Sequence, residues 1–116
     1  MAANKTICIG SSYALEIVLN EDKMMKDNEL FSDFELSIKS FVNKYNLNCV
    51  KNESDDTIYI LGNENDYAMI MAAMSILART KWLYPYLSAF NYYNFYENGI
   101  DAVPEDVIVA FRKWMV

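Results

Sequence analysis

Apolar residues in one stretch of the chain recur with the 3.6-residue period of an α-helix. They are Phe34, Ile38, Phe41, Val42 and Tyr45. Just before them, Ser32 and Glu35 have the Ser-x-x-Glu spacing of a capping box, and Phe31 and Leu36 stand where a hydrophobic staple would form. The pattern predicts a helix that begins at Ser32 and ends at residues 46–48, where two asparagines flank a leucine.

Strand patterns appear on both sides of this helix. Residues 6–9 predict a short strand closed by the turn residues Gly10 to Ser12, and residues 13–19 alternate in polarity like a strand returning from that turn. A helix capped by Ser12 is the alternative for residues 13–19. Residues 20–29 are polar and predict a connection with one helical turn.

A second hairpin is predicted further along the chain. Residues 49–51 and 57–61 have strand character, and the polar run 52–56 between them is suited to a turn. A long helix follows, capped by Asn63 or Asn65 and continuing to about Leu83. Its residues 67–78 are apolar on nearly every face, which predicts that other elements surround it.

The last third of the chain predicts two more helices. Residues 86–97 fit a helix ended by Gly99 better than a strand. Pro104 suits the first turn of a final helix, whose apolar face carries Val107, Phe111 and Trp114 and whose C-terminus carries Arg112 and Lys113. Together these patterns predict one α+β domain over residues 1–116, with a small antiparallel sheet of two hairpins packed against three to four helices.

The charge of the chain narrows the partners it suits. The formal net charge is −6, the pI is about 4.5, and arginine occurs only at positions 79 and 112. Nucleic acids and anionic membranes would be repelled, since both require a basic contact surface. A basic protein partner, such as a protein that handles nucleic acid, has the complementary sign. The two cysteines, Cys8 and Cys49, are expected to be buried thiols in a reducing cytoplasm, and the N-terminal residues have no signal-peptide pattern.

Candidate catalytic chemistry is sparse. The chain has no histidine, which removes Ser-His-Asp and Cys-His nucleophilic systems and histidine-containing zinc sites. No glycine-rich phosphate loop is present, and two cysteines cannot complete a thiolate metal site. The carboxylates at positions 53, 55 and 56 are explained by a solvated turn. The prediction is therefore a protein without catalytic residues, metal or cofactor.

The segment from residue 82 to residue 96 has eight aromatic residues in fifteen, interspersed with serine and asparagine. Such a composition is typical of contact surfaces, although the same rings also suit a core around the apolar helix. As a helix, the segment would place Ser88, Tyr92 and Tyr96 on one face. The candidate partner-binding residues are Trp82, Tyr84, Tyr86, Tyr92, Tyr93 and Tyr96 here, with Asp55, Asp56, Asp101 and Asp106 in acidic loops.

These features favour a non-enzymatic inhibitor that blocks a basic partner surface. In general character the chain is similar to immunity proteins that neutralise a toxin and to phage anti-defence factors such as anti-CRISPR and anti-restriction proteins, although this similarity is one of composition only. One alternative is a nucleotide or metabolite binder, or sponge, with an aromatic pocket. Another is a homodimer or larger oligomer with a structural or chaperone-like role.

Overall fold

The fold is organised around one strand, β1 (Tyr13–Leu19). The computed structural model describes residues 5–112. β1 pairs antiparallel with β3 (Ile58–Gly62) on one side and β4 (Leu87–Asn94) on the other. Outside these lie β2 (Asn48–Lys51) and β5 (Glu105–Asp106), giving the order β2-β3-β1-β4-β5. The predicted α+β class with an antiparallel sheet is confirmed.

Helices and short helical segments connect the strands. The α-helices are α1 (Glu21–Lys26), α2 (Phe31–Asn43), α3 (Tyr67–Ala78), α4 (Phe95–Asn98) and α5 (Val107–Phe111). Two 3₁₀ helices span Lys5–Cys8 and Tyr84–Tyr86. The helical turn predicted within residues 20–29 is α1, whose first turn is capped by the side chain of Asn20.

Both faces of β1 are covered, so the strand is almost entirely buried. Leu15 and Ile17 point to the larger core, where they meet residues of α2 and α3 such as Ile38 and Ile70. Ala14 points to the opposite face and belongs to a smaller cluster of Cys8, Tyr59, Tyr93, Phe95 and Ala102. We call these the helix face and the second face of the sheet.

The first predicted hairpin is wrong, although its second strand is real. Residues Lys5–Cys8 form a 3₁₀ helix, and β1 finds its partners in distant parts of the chain. Gly10 turns the chain with a positive φ of 89°, which glycine adopts without strain. This turn carries Cys8 onto the second face of the sheet. The other predicted hairpin, β2 with β3, is confirmed.

The helix predicted from Ser32 is α2, but the details of its start are wrong. It begins after Leu30, and no side chain caps it. Glu35 instead approaches Lys39 at 3.4 Å and Lys51 at 3.7 Å, which joins α2 to β2. Leu36 is 65% exposed and forms no staple. The apolar periodicity placed the helix correctly, because Phe34, Ile38 and Val42 are buried.

The long apolar helix, α3, is shorter than predicted and has an exposed side. It ends at Ala78, before Pro85, which lies in the second 3₁₀ helix. Asp66 precedes it without capping it, because its carboxylate accepts a hydrogen bond from the Asn63 backbone at 2.8 Å. α3 packs on the sheet through one face only, so Met69 and Ile76 remain exposed.

The helix predicted for residues 86–97 is largely wrong. They form β4 (Leu87–Asn94) followed by the single turn α4, and only the end at Gly99 is as predicted. The spacing of apolar residues in this segment is compatible with a helix. The segment nevertheless forms a strand, because it pairs with β1 along the whole of Tyr13–Leu19. The final helix begins later than Pro104, at Val107, and the side chain of Asp106 caps it. Lys113 and Trp114 lie outside the described residues.

Candidate binding surfaces

A carboxylate lies buried on the second face of the sheet. Glu16, in the middle of β1, is 6% exposed and accepts three hydrogen bonds. The donors are the hydroxyl of Tyr59 at 3.1 Å, the side-chain amide of Asn91 at 2.9 Å and the hydroxyl of Tyr93 at 3.2 Å. The register causes this convergence, because Tyr59 and Asn91 stand directly opposite Glu16 on β3 and β4.

The phenols around Glu16 stay protonated at neutral pH. Burial, and then the charge of Glu16, raises the pKa of Tyr93 to about 12 and that of Tyr59 still further. Both hydroxyls therefore remain donors, and the carboxylate has the partners that a buried charge requires. The arrangement ties three strands together.

A depression lined by tyrosines lies at the end of the sheet where β1 begins. Tyr13 starts β1, Tyr92 is on β4, Tyr67 starts α3 and Tyr96 is in α4. With Glu97 and Glu105 these rings line a space of about 580 Å³. The centroid of the Tyr13 ring is 5.4 Å from that of Tyr67 and 6.1 Å from that of Tyr96. We call it the tyrosine depression.

The tyrosine depression combines a buried floor with exposed walls. Tyr13 and Tyr92 are buried, whereas Tyr67 is 50% and Tyr96 is 59% exposed. Burial, followed by the neighbouring Tyr67 and Tyr13 and then by Glu105, raises the pKa of Tyr92 to about 12. Among the side chains described for residues 7–112, no lysine or arginine lines this space. It is therefore an aromatic surface with an uncompensated acidic rim.

The hydroxyl of Tyr92 is unusual in this setting. The side chain is 8% exposed, and its oxygen has no hydrogen-bond partner within the described part of the chain. Buried polar groups are normally paired, and leaving one unpaired costs about 1–3 kcal/mol. An unpaired hydroxyl in the lining of an acidic depression is a feature that a bound donor or acceptor would complete.

A second aromatic groove lies at the other end of the sheet. The rings of Trp82 and Tyr86 stand edge-to-face against Phe34, with centroids 5.6 Å and 5.2 Å away, and the space they line measures about 630 Å³. Lys23 and Lys81 also line it, and the ammonium of Lys23 is 4.3 Å from the centroid of the Tyr86 ring. We call it the Trp82 groove.

Tyr86 is also tied to α1. Its hydroxyl donates to Asp27 at 2.7 Å, and this bond, followed by burial, raises the pKa of Tyr86 to about 12. The same bond, together with the hydrogen bond from Lys23, lowers the pKa of Asp27. The wall of the Trp82 groove is therefore fixed to α1 by a charge-assisted hydrogen bond.

The predicted aromatic residues do not form one surface. Because β4 is a strand, Tyr92 and Tyr93 point to opposite faces, and the helical stripe of Ser88, Tyr92 and Tyr96 does not exist. Tyr92 and Tyr96 line the tyrosine depression, whereas Tyr93 binds Glu16. The remaining predicted rings belong to the other end of the sheet, with Trp82 and Tyr86 in the Trp82 groove and Tyr84 half-buried in the second 3₁₀ helix.

The four predicted aspartates are also dispersed, and three of them have local structural partners. Asp55 accepts from the backbone of Thr57 at 3.0 Å, and Asp56 adopts a φ of 60° and lies 3.9 Å from Lys51. Both belong to the β2–β3 turn, at the end of the sheet opposite the tyrosine depression. Asp106 caps α5, and Asp101 is exposed between α4 and β5. The four therefore form no common patch.

The sequence interpretation missed several residues of these sites. Glu16 resembled an outward-facing polar residue of an alternating strand, and nothing local marks it as buried. Tyr13 and Tyr67 lie far from the aromatic segment along the chain. Glu97 and Glu105 flank the acidic residues that were selected.

The described residues contain neither a metal site nor a helix that could span a membrane. Within residues 5–112, no group of three acidic or cysteine side chains is placed to hold a metal ion. Cys8 and Cys49 are not joined by a disulfide, and burial raises the pKa of Cys49 to about 11, so its reactive thiolate is scarce at neutral pH. None of the helices in this part of the chain is both long and apolar enough to cross a membrane.

Comparison with known proteins adds no functional information. The chain matches no family model, no curated protein and no solved structure at a significant level. Its function is therefore inferred from its own geometry.

Proposed function

We propose that this chain is a non-enzymatic, cytoplasmic binding protein that docks onto a basic surface of a protein partner and blocks it. The observation that carries the proposal is the tyrosine depression, in which half-exposed rings stand beside Glu97 and Glu105 and which no lysine or arginine of residues 7–112 lines. Tyrosine supplies a large amphipathic contact area and loses little side-chain entropy on binding. Both features suit a surface that receives cationic side chains.

The net charge of −6 supports the same proposal. Acidic residues distributed over the surface attract a basic partner over a distance and raise its association rate, even where they make no contact. The tyrosine depression then supplies the short-range contact that holds the complex together. Neutralisation of a toxin and inhibition of a host defence protein are the two biological roles that this mode of binding fits.

The test compares two charge-reversal variants in capture from a host lysate. Glu97→Lys with Glu105→Lys reverses the rim of the tyrosine depression, and Asp22→Lys with Glu53→Lys makes the same change at exposed positions near the other end of the sheet, outside both aromatic sites. We expect the wild type and the second variant to retain a basic partner that is released by salt, and the first variant to lose it. A partner retained equally by both variants would refute the proposal.

A second function is favoured by the Trp82 groove. Three rings form its walls, and two lysines share its lining with the carboxylates of Glu29 and Asp33, which suits a small planar molecule such as a nucleoside or an aromatic metabolite. A thermal-shift panel of nucleotides and aromatic metabolites tests this alternative. We expect a ligand to raise the melting temperature of the wild type and to have no effect on Trp82→Leu, and a panel without any shift would argue against it.

A further inference from the structure

We infer that the tyrosine depression binds the guanidinium group of an arginine side chain presented by the partner. The inference rests on the proposed function and adds the chemical class of the group that the depression receives. It is drawn from three independent observations: the arrangement of the rings, the uncompensated carboxylates and the unpaired hydroxyl of Tyr92.

The rings form an aromatic cage of the kind that binds cations. The ring of Tyr13 contacts that of Tyr67 in an edge arrangement and is tilted at 38° to that of Tyr96. The face of a tyrosine ring has a negative electrostatic potential, and a cation within about 6 Å of a ring centroid is attracted to it. Tyr67 and Tyr96 are half exposed, and their centroids are 5.4 and 6.1 Å from that of Tyr13, so a cation on the exposed side of either ring lies beside a group of rings rather than a single one.

The two glutamates at the rim of the cage favour a ligand with a positive charge. Glu97 and Glu105 line the depression, and their charges act on Tyr92 beneath them. The positively charged side chains that carry ion pairs in the described part of the chain lie elsewhere, with Lys23 on α1, Lys39 on α2 and Lys51 on β2. An entering cation would therefore neutralise carboxylates that form no ion pair with the described side chains.

The hydroxyl of Tyr92 selects among cations. Its oxygen has no hydrogen-bond partner among the residues that the structure describes, and the side chain is 8% exposed within the lining of the depression. A guanidinium has five N–H donors in one plane, so it is able to donate to this oxygen and to a carboxylate while stacking on a ring. A quaternary ammonium has no N–H and would leave the hydroxyl unpaired. The hydroxyl oxygen is itself covered, so reaching it requires side chains of the lining to move, and the half-exposed Tyr67 and Tyr96 are able to change rotamer rapidly.

The direct test titrates the isotope-labelled protein with small probes and follows the tyrosine ring signals by NMR. The probes are N-acetylarginine amide, the lysine equivalent, tetramethylammonium and N-acetylcitrulline amide, which has nearly the shape of arginine but no charge, all at constant ionic strength. We expect saturable shifts at Tyr67 and Tyr96 with arginine, weaker binding of lysine and tetramethylammonium, and binding of citrulline weakened by at least about tenfold. Equal responses to arginine and citrulline would overturn the inference, as would tighter binding of tetramethylammonium than of arginine.

Variants then assign the binding to this cage. Tyr96→Leu removes an exposed ring and should weaken arginine binding about two- to fivefold, while leaving the fold intact. Tyr92→Phe keeps the ring and removes only the hydroxyl, so it should reduce the preference for arginine over tetramethylammonium. Glu97→Gln should weaken arginine binding, whereas the matched change Glu53→Gln, in the exposed β2–β3 turn, should not. If all variants bind arginine as the wild type does, the cage is not the site.

The outcome separates this inference from the proposed function. The small probes require no partner, so saturable arginine binding supports the cage even if lysate capture retains no basic protein, and the proposed function then fails alone. Conversely, a partner that is lost on reversal of Glu97 and Glu105, combined with no response to arginine, would leave the proposed function standing and remove the arginine assignment.

Discussion

The buried carboxylate of Glu16 allows a quantitative prediction about stability. Tyr59→Phe removes one hydroxyl and leaves the ring in place, so the change isolates the hydrogen bond of 3.1 Å to Glu16. Hydrogen bonds to charged groups contribute about 1.5–3 kcal/mol, and the length of this one favours the lower half of the range. We expect Tyr59→Phe to lower the free energy of unfolding by about 1.5–2 kcal/mol.

A double-mutant cycle tests whether the charge of Glu16 is responsible. In a Glu16→Gln background the acceptor is neutral, and removing the Tyr59 hydroxyl should then cost only about 0.5–1.5 kcal/mol. The difference predicts a coupling of about 1 kcal/mol between the two positions.

Urea unfolding followed by circular dichroism measures the free energy of unfolding of the wild type, the two single variants and the double variant. If this free energy depends equally steeply on urea concentration in all four proteins, differences in their midpoints report differences in stability. Tyr67→Phe serves as the control, because Tyr67 is half exposed and its loss of a hydroxyl should change stability by less than about 0.5 kcal/mol. A coupling of zero, or a cost for Tyr59→Phe no greater than that for Tyr67→Phe, would refute the claim that Glu16 is a buried charged acceptor.

Three further predictions concern other parts of the molecule. The tyrosines of the unfolded chain ionise near pH 10, whereas the pKa of Tyr93 is raised to about 12. Between pH 10 and 12 the folded state therefore keeps a proton that the unfolded state loses, so the free energy of unfolding falls as the pH rises. In urea unfolding, Tyr93→Phe should make that fall shallower by up to about 1.4 kcal/mol per pH unit. An unchanged pH dependence in the variant would contradict this. At Gly62 an added Cβ would lie 2.9 Å from Cγ1 of Ile70. Gly62→Ala should therefore destabilise the fold by about 1–3 kcal/mol and lower its melting temperature. An unchanged melting temperature would mean that α3 shifts to accommodate the added methyl group. Hydrogen bonds from Tyr86 and Lys23 lower the pKa of Asp27. In an NMR titration, Tyr86→Phe should therefore return the pKa of the Asp27 carboxyl toward its ordinary value. The same pKa in the wild type and the variant would show that the hydrogen bond from Tyr86 to Asp27 is absent in solution.

Local sequence patterns located the elements whose stability is local. α2 has a regular apolar face, and the β2–β3 hairpin joins neighbouring segments across a polar turn, so both were predictable. The capping box was not formed although its residues are present, because the helix begins at Phe31 and Ser32 therefore lies inside it, while Glu35 contacts Lys39 and Lys51. A motif of two residues is easily overridden by contacts that arise only in the folded chain.

Elements and sites that depend on distant pairing were not predictable. Residues 87–94 are a strand because β1 pairs with them along its whole length, and no local signal reports this. The tyrosine depression is likewise assembled from four separate elements, so only Tyr92 and Tyr96 were found in advance. Glu16 became a buried acceptor through the register of β3 and β4 rather than through any motif of its own.

The central position of β1 has a consequence for how the chain folds during synthesis. β1 is made early, but neither of its neighbours is adjacent in sequence, and β4 is complete only at Asn94. Such a topology has a high contact order, which slows folding because long loops must close before the central pairings form. The emerging chain should therefore hold an apolar strand without its full set of partners until β4 has been translated, and form the native sheet in one cooperative step only after that.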